Sequence, residues 1–412
     1  MIARAVHFYV NSFRGLSRGV WLLALVMLIN RSGTMVIPFL TLYLTQKLDF
    51  TLGQAGLIMG FFGAGSIVGG WLGGFLTDRI GYYKVQLYSF LASGFMWMLL
   101  LFTKSFWSIA IAVFFTSVVA DAFRPANMVA VGVYSREENR TRSISLIRMA
   151  INLGWSVGPA LGGLLIKLFG YHWLFILDGA TCFLAGVFLA ITLPEKEKPP
   201  TEDASPQEEE SHERHSPWKD PLYLVFILSS LGMAIAFLQF LFTLPVYLKE
   251  DLLYSEDQIG LLMALNGVLI AVLEMPLIYF LEARRQKLFY IAFGTLLIGL
   301  AYLTLALSSW WGFVLLCFIL LTLGETVSFP FHTTFALERG KAASRGKYMG
   351  LYSMMWSVAV ILAPMAGMQI AQFFGFGTLW YVAVGLTLLG TLGYALVSRL
   401  HGSQRKATPV RT

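Results

Sequence analysis

Residues 74–84 read GFLTDRIGYYK, a short polar segment between two long apolar runs. The runs cover residues 53–77 and 84–103, and each is long enough to cross a bilayer, which takes about 20 apolar residues in a helix. Within the segment, Asp78 and Arg79 are adjacent charges flanked by glycines. A charged connection this short predicts that one membrane-spanning helix ends here and that the next begins on the same side of the membrane.

The rest of the chain has the same apolar character. Apolar residues make up 57% of the 412 residues, charged residues make up 13%, and the mean hydropathy is +0.68. A typical soluble domain has about 25% charged residues, so this composition excludes a soluble globular protein. Apolar runs of spanning length lie near 19–44, 53–77, 84–103, 107–134, 142–168, 172–193, 220–248, 257–281, 287–308, 311–338, 347–373 and 377–400. The sequence therefore predicts an all-α membrane protein with twelve transmembrane helices.

The charges are distributed unevenly between the two sides of the predicted membrane. Thirty Lys and Arg residues against 23 Asp and Glu residues give a net charge of +7. If the N-terminus is cytoplasmic, the basic loop residues on the opposite side are Lys47, Lys104, Lys167 and Lys249. This asymmetry follows the positive-inside rule, so the excess charge indicates orientation rather than a nucleic-acid partner. We expect a multi-pass membrane protein with both termini cytoplasmic, and we expect no cleaved targeting peptide.

The two halves of the chain repeat each other at a shift of 204 to 205 residues. The matching pairs are Gln54 with Gln258, Gly56 with Gly260, Met59 with Met263, Asp78 with Glu282, Pro125 with Pro330, Arg140 with Arg345, and Pro159 with Pro364. Six spans per half predict two six-helix bundles related by a pseudo-two-fold axis along the membrane normal. The predicted parts are residues 1–193, a polar cytoplasmic linker at 194–219, and residues 220–412 with a short cytoplasmic tail. This layout favours alternating access to a substrate site between the halves.

The loop that opens this section resembles motif A of the major facilitator superfamily. The matching positions are Gly74, Asp78, Arg79, Gly81 and Lys84. The resemblance implies the fold of that superfamily over essentially the whole chain. It also implies that the glycines allow close helix packing, and that Asp78 and Arg79 gate the cytoplasmic side by pairing with charges or a helix dipole on the opposite half. The chain departs mildly from the motif, because a tyrosine replaces one of two basic residues often found after its last glycine.

The fifth predicted span contains a second glycine-rich segment, GWSVGPALGG at residues 154–163. It resembles motif C of the drug:proton antiporter branch of the same superfamily. The matching positions are Gly154, Gly158, Pro159, Gly162 and Gly163. Small residues and a proline also serve plain helix packing in membranes, so packing alone is the alternative interpretation.

Several polar and ionisable residues lie inside the predicted spans, where a charge needs a partner or a water-filled cavity. The candidate residues for proton coupling or the substrate cavity are Arg31, Asp121, Arg124, Gln239, Glu274, Glu325 and His332. In the superfamily, the first, fourth, seventh and tenth spans line the central cavity, so the resemblance places all of these except Glu274 on cavity helices. We interpret Asp178, near the outer end of its span, as a structural residue.

Two interpretations of the best-placed pair remain open. Asp121 and Arg124 are three residues apart and share one helix face, which allows a static ion pair. Alternatively, Asp121 binds and releases a proton, so that Arg124 is freed for other contacts. Glu274 has no cation one turn away in its helix, and the repeat register places Glu325 beside the counterpart of Asp121. His332 either titrates or serves as a packing residue.

The predicted function is secondary active transport by alternating access. We expect proton-coupled efflux of drug-like or amphipathic small molecules, with a solute-specific carrier for a sugar, peptide, siderophore or lipid as the alternative. The sequence lacks a paired-histidine zinc motif, a G-x-S-x-G motif and a Walker A motif, so we expect no enzyme activity and no ATP-driven step. Cys182 and Cys317 lie in apolar runs and predict neither a disulfide nor a metal site. We expect no cofactor, a proton gradient as the driving force, and a monomer in a bacterial inner membrane.

Overall fold

The computed structural model describes residues 15–136, 140–196, 216–282, 286–340 and 345–407. Most of the predicted linker, residues 197–215, lies outside the described residues, as do the basic residues of the first fourteen positions. Within the described ranges the chain is helical and contains no β-strand. The helices are α1 Arg18–Ser32, α2 Val36–Leu42, α3 Leu52–Ile80, α4 Tyr82–Leu99, α5 Phe106–Tyr134, α6 Arg140–Phe169, α7 His172–Thr192, α8 Pro221–Phe242, α9 Leu244–Glu250, α10 Glu256–Glu282, α11 Lys287–Leu307, α12 Trp311–Arg339 and α13 Arg345–Ala407.

The helices provide the predicted number of membrane spans. In the described part of the chain, eleven helical stretches are long and apolar enough to cross a membrane, and the last runs from Lys347 to Leu400. That stretch is broken at Gly375, whose φ of 82° and ψ of 161° are non-helical. A positive φ of this size favours glycine because it has no Cβ. The break divides α13 into two spans, which confirms the predicted all-α membrane fold.

Two compact units make up the structure, and each contains most of one half of the chain. Unit 1 comprises residues 1–48, 61–201 and 254–267, and unit 2 comprises residues 49–60, 202–253 and 268–412. The start of α3 therefore belongs to unit 2, where the backbone N–H of Gly53 donates to the side chain of Gln372 at 2.6 Å. The start of α10 belongs to unit 1, where Lys167 pairs with Asp257 at 2.9 Å. The predicted domain boundaries at residues 193 and 220 stay a prediction.

Unit 1 is held together by close helix packing. Helix α1 packs against α6 and α7, and α4 packs against α5 and α7. Along α3, Gly65, Gly69 and Gly73 face backbone carbonyls of α5, and a Cβ at any of them would collide with that backbone. A spacing of four residues keeps these glycines on one helix face, so the two backbones approach closely. The same contact brings Ser66 of α3 beside α5.

Unit 2 repeats this mode of packing. Helix α8 packs against α13, and α11 packs against both α12 and α13. Gly294 of α11 and Gly324 of α12 face each other, with a Cβ at one lying 2.6 to 2.7 Å from the carbonyl oxygen of the other. The backbone contact at these glycines leaves no room for larger side chains between α11 and α12.

Candidate functional site

The carboxylate of Asp121 lies at the centre of a polar cluster in unit 1. Its Oδ1 accepts the Nε–H of Arg124 at 2.7 Å, and its Oδ2 accepts the hydroxyl of Ser66. Asp121 is 5% exposed, whereas the side chain of Arg124 is 62% exposed. The ion pair expected from the three-residue spacing is therefore present, with the acid buried and the base on an open surface.

A proline removes one backbone hydrogen bond of α5 next to this ion pair. Pro125 lies inside α5 and has no N–H, so it removes the helical hydrogen bond that the carbonyl of Asp121 would otherwise accept. The repeat places Pro330 at the equivalent position inside α12. A proline in a membrane helix is tolerated where neighbouring polar groups compensate for the lost bond. Helix α5 is therefore locally weakened at Asp121, where it lacks this backbone hydrogen bond.

Arg31 joins the same cluster from the last turn of α1. Its guanidinium lies over the ring of Phe123, 5.4 Å from the centroid. It is close enough to Asp121, Arg124 and Asp178 to interact with all three electrostatically. The structure thus brings together three of the predicted cavity residues, Arg31, Asp121 and Arg124, in one unit.

The first span is broken one residue after Arg31. Helix α1 ends at Ser32 and α2 begins at Val36. Asp178 of α7 accepts the backbone N–H groups of Met35 and Val36, at 3.3 and 3.2 Å, and so caps the start of α2. This buried carboxylate, which is 3% exposed, agrees with the expectation of a structural role. A carboxylate at a helix N-terminus satisfies donors that the membrane cannot.

A family model described as the Major Facilitator Superfamily matches residues 20–255 and again residues 222–411. Together the two matches cover nearly the whole chain. This chain belongs to the Major Facilitator Superfamily. Like the MFS-type transporters that it resembles, it is a multi-pass membrane transporter and not an enzyme.

The chain is similar to several members of the superfamily over most of its length. It is 22% identical to a Na(+), Li(+), K(+)/H(+) antiporter of Planococcus maritimus, with 92% of this chain and 95% of that one covered. It is 24% identical to YqjV, an uncharacterized MFS-type transporter of Bacillus subtilis, with 90% and 91% covered. A solved structure of a POT family transporter in complex with 5-aminolevulinic acid matches with a TM-score of 0.75 and 16% identity, covering 96% of this chain and 98% of that one. The solved structure supports the major facilitator fold.

The two remaining candidate acids of this major facilitator chain lie in unit 2. Glu325 is half-buried in the middle of α12, and Glu274 is half-buried in α10. Both take part in interactions within the described residues. The predicted cavity residues are therefore divided between the two units.

Two other candidates are engaged in helix–helix hydrogen bonds inside unit 2. Gln239 donates to the carbonyl of Ala363 at 3.0 Å and accepts the hydroxyl of Thr243 at 2.6 Å, and it is 2% exposed. His332 is fully buried, with Nδ1 3.0 Å from the carbonyl oxygen of Ser328 and Nε2 2.8 Å from the hydroxyl of Tyr394. These bonds connect α8, α12 and α13, which is the behaviour of packing residues.

The motif A residues lie at the junction of α3 and α4. The guanidinium of Arg79 lies over the ring of Phe75, 4.4 Å from its centroid. Gly81 has a φ of 89° and precedes the first residue of α4, so this turn requires glycine. A Cβ at Gly74 would meet open space. The gating role of Asp78, Arg79 and Lys84 stays a prediction.

The motif C residues pack α6 against its neighbours in unit 1. A Cβ at Gly154 would collide with Cβ of Arg31, and one at Gly158 would lie 2.8 Å from the carbonyl oxygen of Thr34. A Cβ at Gly162 would lie 3.2 Å from Cβ of Met35, and one at Gly163 would collide with the backbone carbonyl of Glu256. Pro159 lies inside the helix between these glycines. Helix packing therefore accounts for the positions of the motif C residues. Their contacts include the backbone on both sides of the break between α1 and α2.

Sequence reasoning missed two residues of the cluster, Ser66 and Phe123, and the capping role of Asp178. Ser66 follows Gly65 in the small-residue face of α3, and that spacing was the available signal for a close helix contact. The pattern identifies a helix face that packs closely, but it does not identify the partner helix. For the same reason, the sequence could not show that Phe123 and Arg31 meet.

Proposed function

We propose that this transporter exports amphipathic small molecules in exchange for protons, and that Asp121 carries the proton. The observation behind this proposal is the buried carboxylate of Asp121, which is paired with a largely exposed Arg124 in the middle of a membrane span. A proton on Asp121 would neutralise the carboxylate and break the ion pair. The guanidinium of Arg124 would then be free to contact solvent or substrate. Loss of the proton would restore the pair, so the two states differ in an electrostatic contact.

The similarity to a cation/proton antiporter supports proton exchange as the driving reaction. The electrochemical proton gradient then supplies the free energy for transport, and the protein needs no cofactor. The excess of basic residues on one side supports a cytoplasmic position for both termini. We place the protein as a monomer in a bacterial inner membrane.

The test uses purified protein in proteoliposomes with a pH-sensitive dye inside and an imposed proton gradient. Lipophilic cations, amphipathic acids, zwitterions, sugars, and Na⁺ and K⁺ salts are added in turn. We expect an amphipathic compound to provoke proton movement in the wild-type protein and not in Asp121→Asn. Glu338→Gln, which changes an exposed acid at the end of α12, is the matched control. Normal proton movement by a well-folded Asp121→Asn would refute the assignment.

A solute-specific carrier is the second candidate function. The clustering of two arginines with one acid favours it, since a charged cluster suits a polar or zwitterionic solute such as a peptide. The POT family structure, which holds 5-aminolevulinic acid, supports the same idea by analogy of fold. A response to one polar solute only, with none to lipophilic compounds, would favour this candidate over export of amphipathic compounds.

A further inference from the structure

A groove lies inside unit 2 between α8 and the two halves of α13, which the break at Gly375 separates. Together with its open mouth, it contains about 300 Å³ of empty space. Three of its buried lining residues, Ala236 of α8 with Leu379 and Ala383 of α13, are at most 2% exposed, and we call them the groove floor. All of the lining residues lie within membrane-spanning stretches. The groove is therefore a feature of the membrane-embedded part of unit 2.

The lining of the groove is apolar. Among the described residues that line it, Gln239 alone has a polar side chain. Its Nε2 donates to the carbonyl oxygens of Ile235 and Ala363, at 3.1 and 3.0 Å, and its Oε1 accepts the hydroxyl of Thr243 at 2.6 Å. Both N–H donors of this amide are thus used within the helices. The described side chains of the groove leave no free donor for a polar ligand, so dispersion contacts are what they offer an occupant.

The mouth of the groove opens onto exposed apolar side chains. Ala366 and Val382, one on each half of α13, are lining residues that are exposed. Ala366 lies on the same helix face as Leu362 and Phe373, four and seven residues away, and these two are 40% and 68% exposed. On the other half of α13, Leu389 lies seven residues from Val382 and is also exposed. Exposed apolar faces of membrane-spanning helices contact lipid hydrocarbon, so the groove opens toward the bilayer.

The geometry points to a lipid site: we propose that this groove binds one acyl chain of a membrane phospholipid. Water is a poor occupant, because a buried water needs two or more polar partners. An unfilled groove would deprive its walls of dispersion contacts on one side. The bilayer at the mouth supplies hydrocarbon chains at very high concentration, so a modest affinity suffices for occupancy. A bound chain would contact α8 and both halves of α13 at once. The inference is independent of the proposed transport reaction.

The first experiment uses photolabelling of the full-length protein in liposomes. The probes are two phosphatidylcholines, each a minor component of the bilayer, with a diazirine in the middle or at the end of one acyl chain. Mass spectrometry of peptides locates the adducts after irradiation. Because the floor residues are at most 2% exposed, a chain must enter the groove to reach them. We expect adducts on the groove floor as well as on the exposed Phe373 and Leu389. Adducts on these exposed residues and none on the floor would overturn the inference.

A substitution at the mouth tests the location of the chain. Ala366→Phe places a ring at the mouth of the groove, and we expect it to reduce labelling of the floor at least fivefold. The matched control is Leu389→Phe, which places the same ring at an exposed position of the same helix outside the lining. We expect this control to leave labelling of the floor unchanged. Full labelling of the floor in a well-folded Ala366→Phe variant would contradict the proposed route into the groove and so overturn the inference.

A small apolar photolabel distinguishes a lipid chain from a small-molecule occupant. The probe is trifluoromethyl phenyldiazirine, which has no acyl chain, and it is added to the delipidated wild-type protein in detergent. The readout is labelling of the groove floor relative to labelling of the exposed Leu389, which corrects for dilution of the probe by added lipid. We expect unlabelled phosphatidylcholine to lower this ratio in a saturable manner. A ratio that phosphatidylcholine does not change would mean that the groove holds small apolar molecules instead, and this would overturn the inference.

Discussion

Asp220 accepts two hydrogen bonds from the guanidinium of Arg339, at 2.7 and 3.0 Å, and so ties the first turn of α8 to the last turn of α12. Asp220 also caps α8 by accepting the backbone N–H of Tyr223. In unit 1, Ser17 caps α1 and donates its hydroxyl to the carbonyl of Tyr134 at the end of α5. Tyr134 and Arg339 are related by the repeat register of 205 residues. Both halves therefore join the same two helix ends, one through a hydroxyl and the other through an ion pair.

The ion pair in unit 2 should contribute measurably to stability. Burial acts to raise the pKa of Asp220, but the hydrogen bonds from Arg339, Tyr223 and Tyr348 hold this pKa below its ordinary value. We expect Asp220→Asn to lower the free energy of unfolding by about 2 kcal/mol, since asparagine keeps the cap but loses the charge. Thermal unfolding of the purified protein at pH 7 measures this. Glu338→Gln, which removes an exposed partner of Lys287, should cost roughly 0.5 kcal/mol or less.

The same pair predicts a pH dependence. A carboxyl group whose pKa is lowered on folding stabilises the protein above its unfolded pKa, and this stabilisation is lost as the pH falls through the folded value. The difference in Tm between the wild type and Asp220→Asn should therefore be full at pH 7 and shrink below about pH 4. A difference that stays constant down to pH 3 would show that Asp220 acts through packing rather than through its charge.

The close contact between α1 and α6 predicts which glycines tolerate a side chain. Gly154→Ala places a methyl group against Cβ of Arg31, so α1 must shift, and we expect a loss of about 2 kcal/mol. Gly132→Ala on α5 meets open space and should be neutral or slightly stabilising, because it reduces the entropy of the unfolded chain. Thermal unfolding of both variants makes the comparison. Equal effects would mean that α1 and α6 do not pack as the structure shows.

Substitution of Asp178, which caps α2, should destabilise the protein more than substitution at most other polar contacts of unit 1. Asp178→Leu leaves the N–H group of Val36 without its acceptor and removes one of the two acceptors of the Met35 N–H, which also donates to the carbonyl oxygen of Gly33; we expect a loss of about 2 kcal/mol. Asp178→Asn retains one acceptor oxygen and should lose roughly half as much. Hydrogen exchange at Met35 and Val36 should become faster in the same order. The exposed Asp251 provides the control variant Asp251→Asn.

A double-mutant cycle tests the hydrogen-bond chain through His332. The hydroxyl of Tyr394 lies 2.8 Å from Nε2 of His332 and donates to Ser230 at 3.0 Å. A change at either His332 or Tyr394 therefore removes a hydrogen bond from the other residue. We expect Tyr394→Phe and His332→Phe each to cost about 1 to 3 kcal/mol, with a coupling energy of about 1 kcal/mol. Tyr381→Phe, on the exposed face of the same helix, should have little effect. Additive losses would refute a shared network.

The sequence predicted the spans and the pair at Asp121 for simple physical reasons. Apolar runs such as 84–103 require helices because the membrane offers no other partner for the backbone. Two residues three positions apart share a helix face, so the pairing of Asp121 with Arg124 follows from local geometry. The break at Gly375 was also visible as a gap between the runs at 347–373 and 377–400.

Contacts between helices distant in sequence required the tertiary structure. Helical periodicity shows which residues share a face but not which helix that face meets. The cap on the broken first span depends on α7, which lies more than a hundred residues away in the chain. The burial of Gln239 and His332 in hydrogen bonds of unit 2 is also invisible to periodicity. Composition and the repeat thus indicated the membrane fold, and the resemblance to motif A indicated the superfamily, whereas helix packing decided that Arg31 meets Phe123 and that Ser66 meets Asp121.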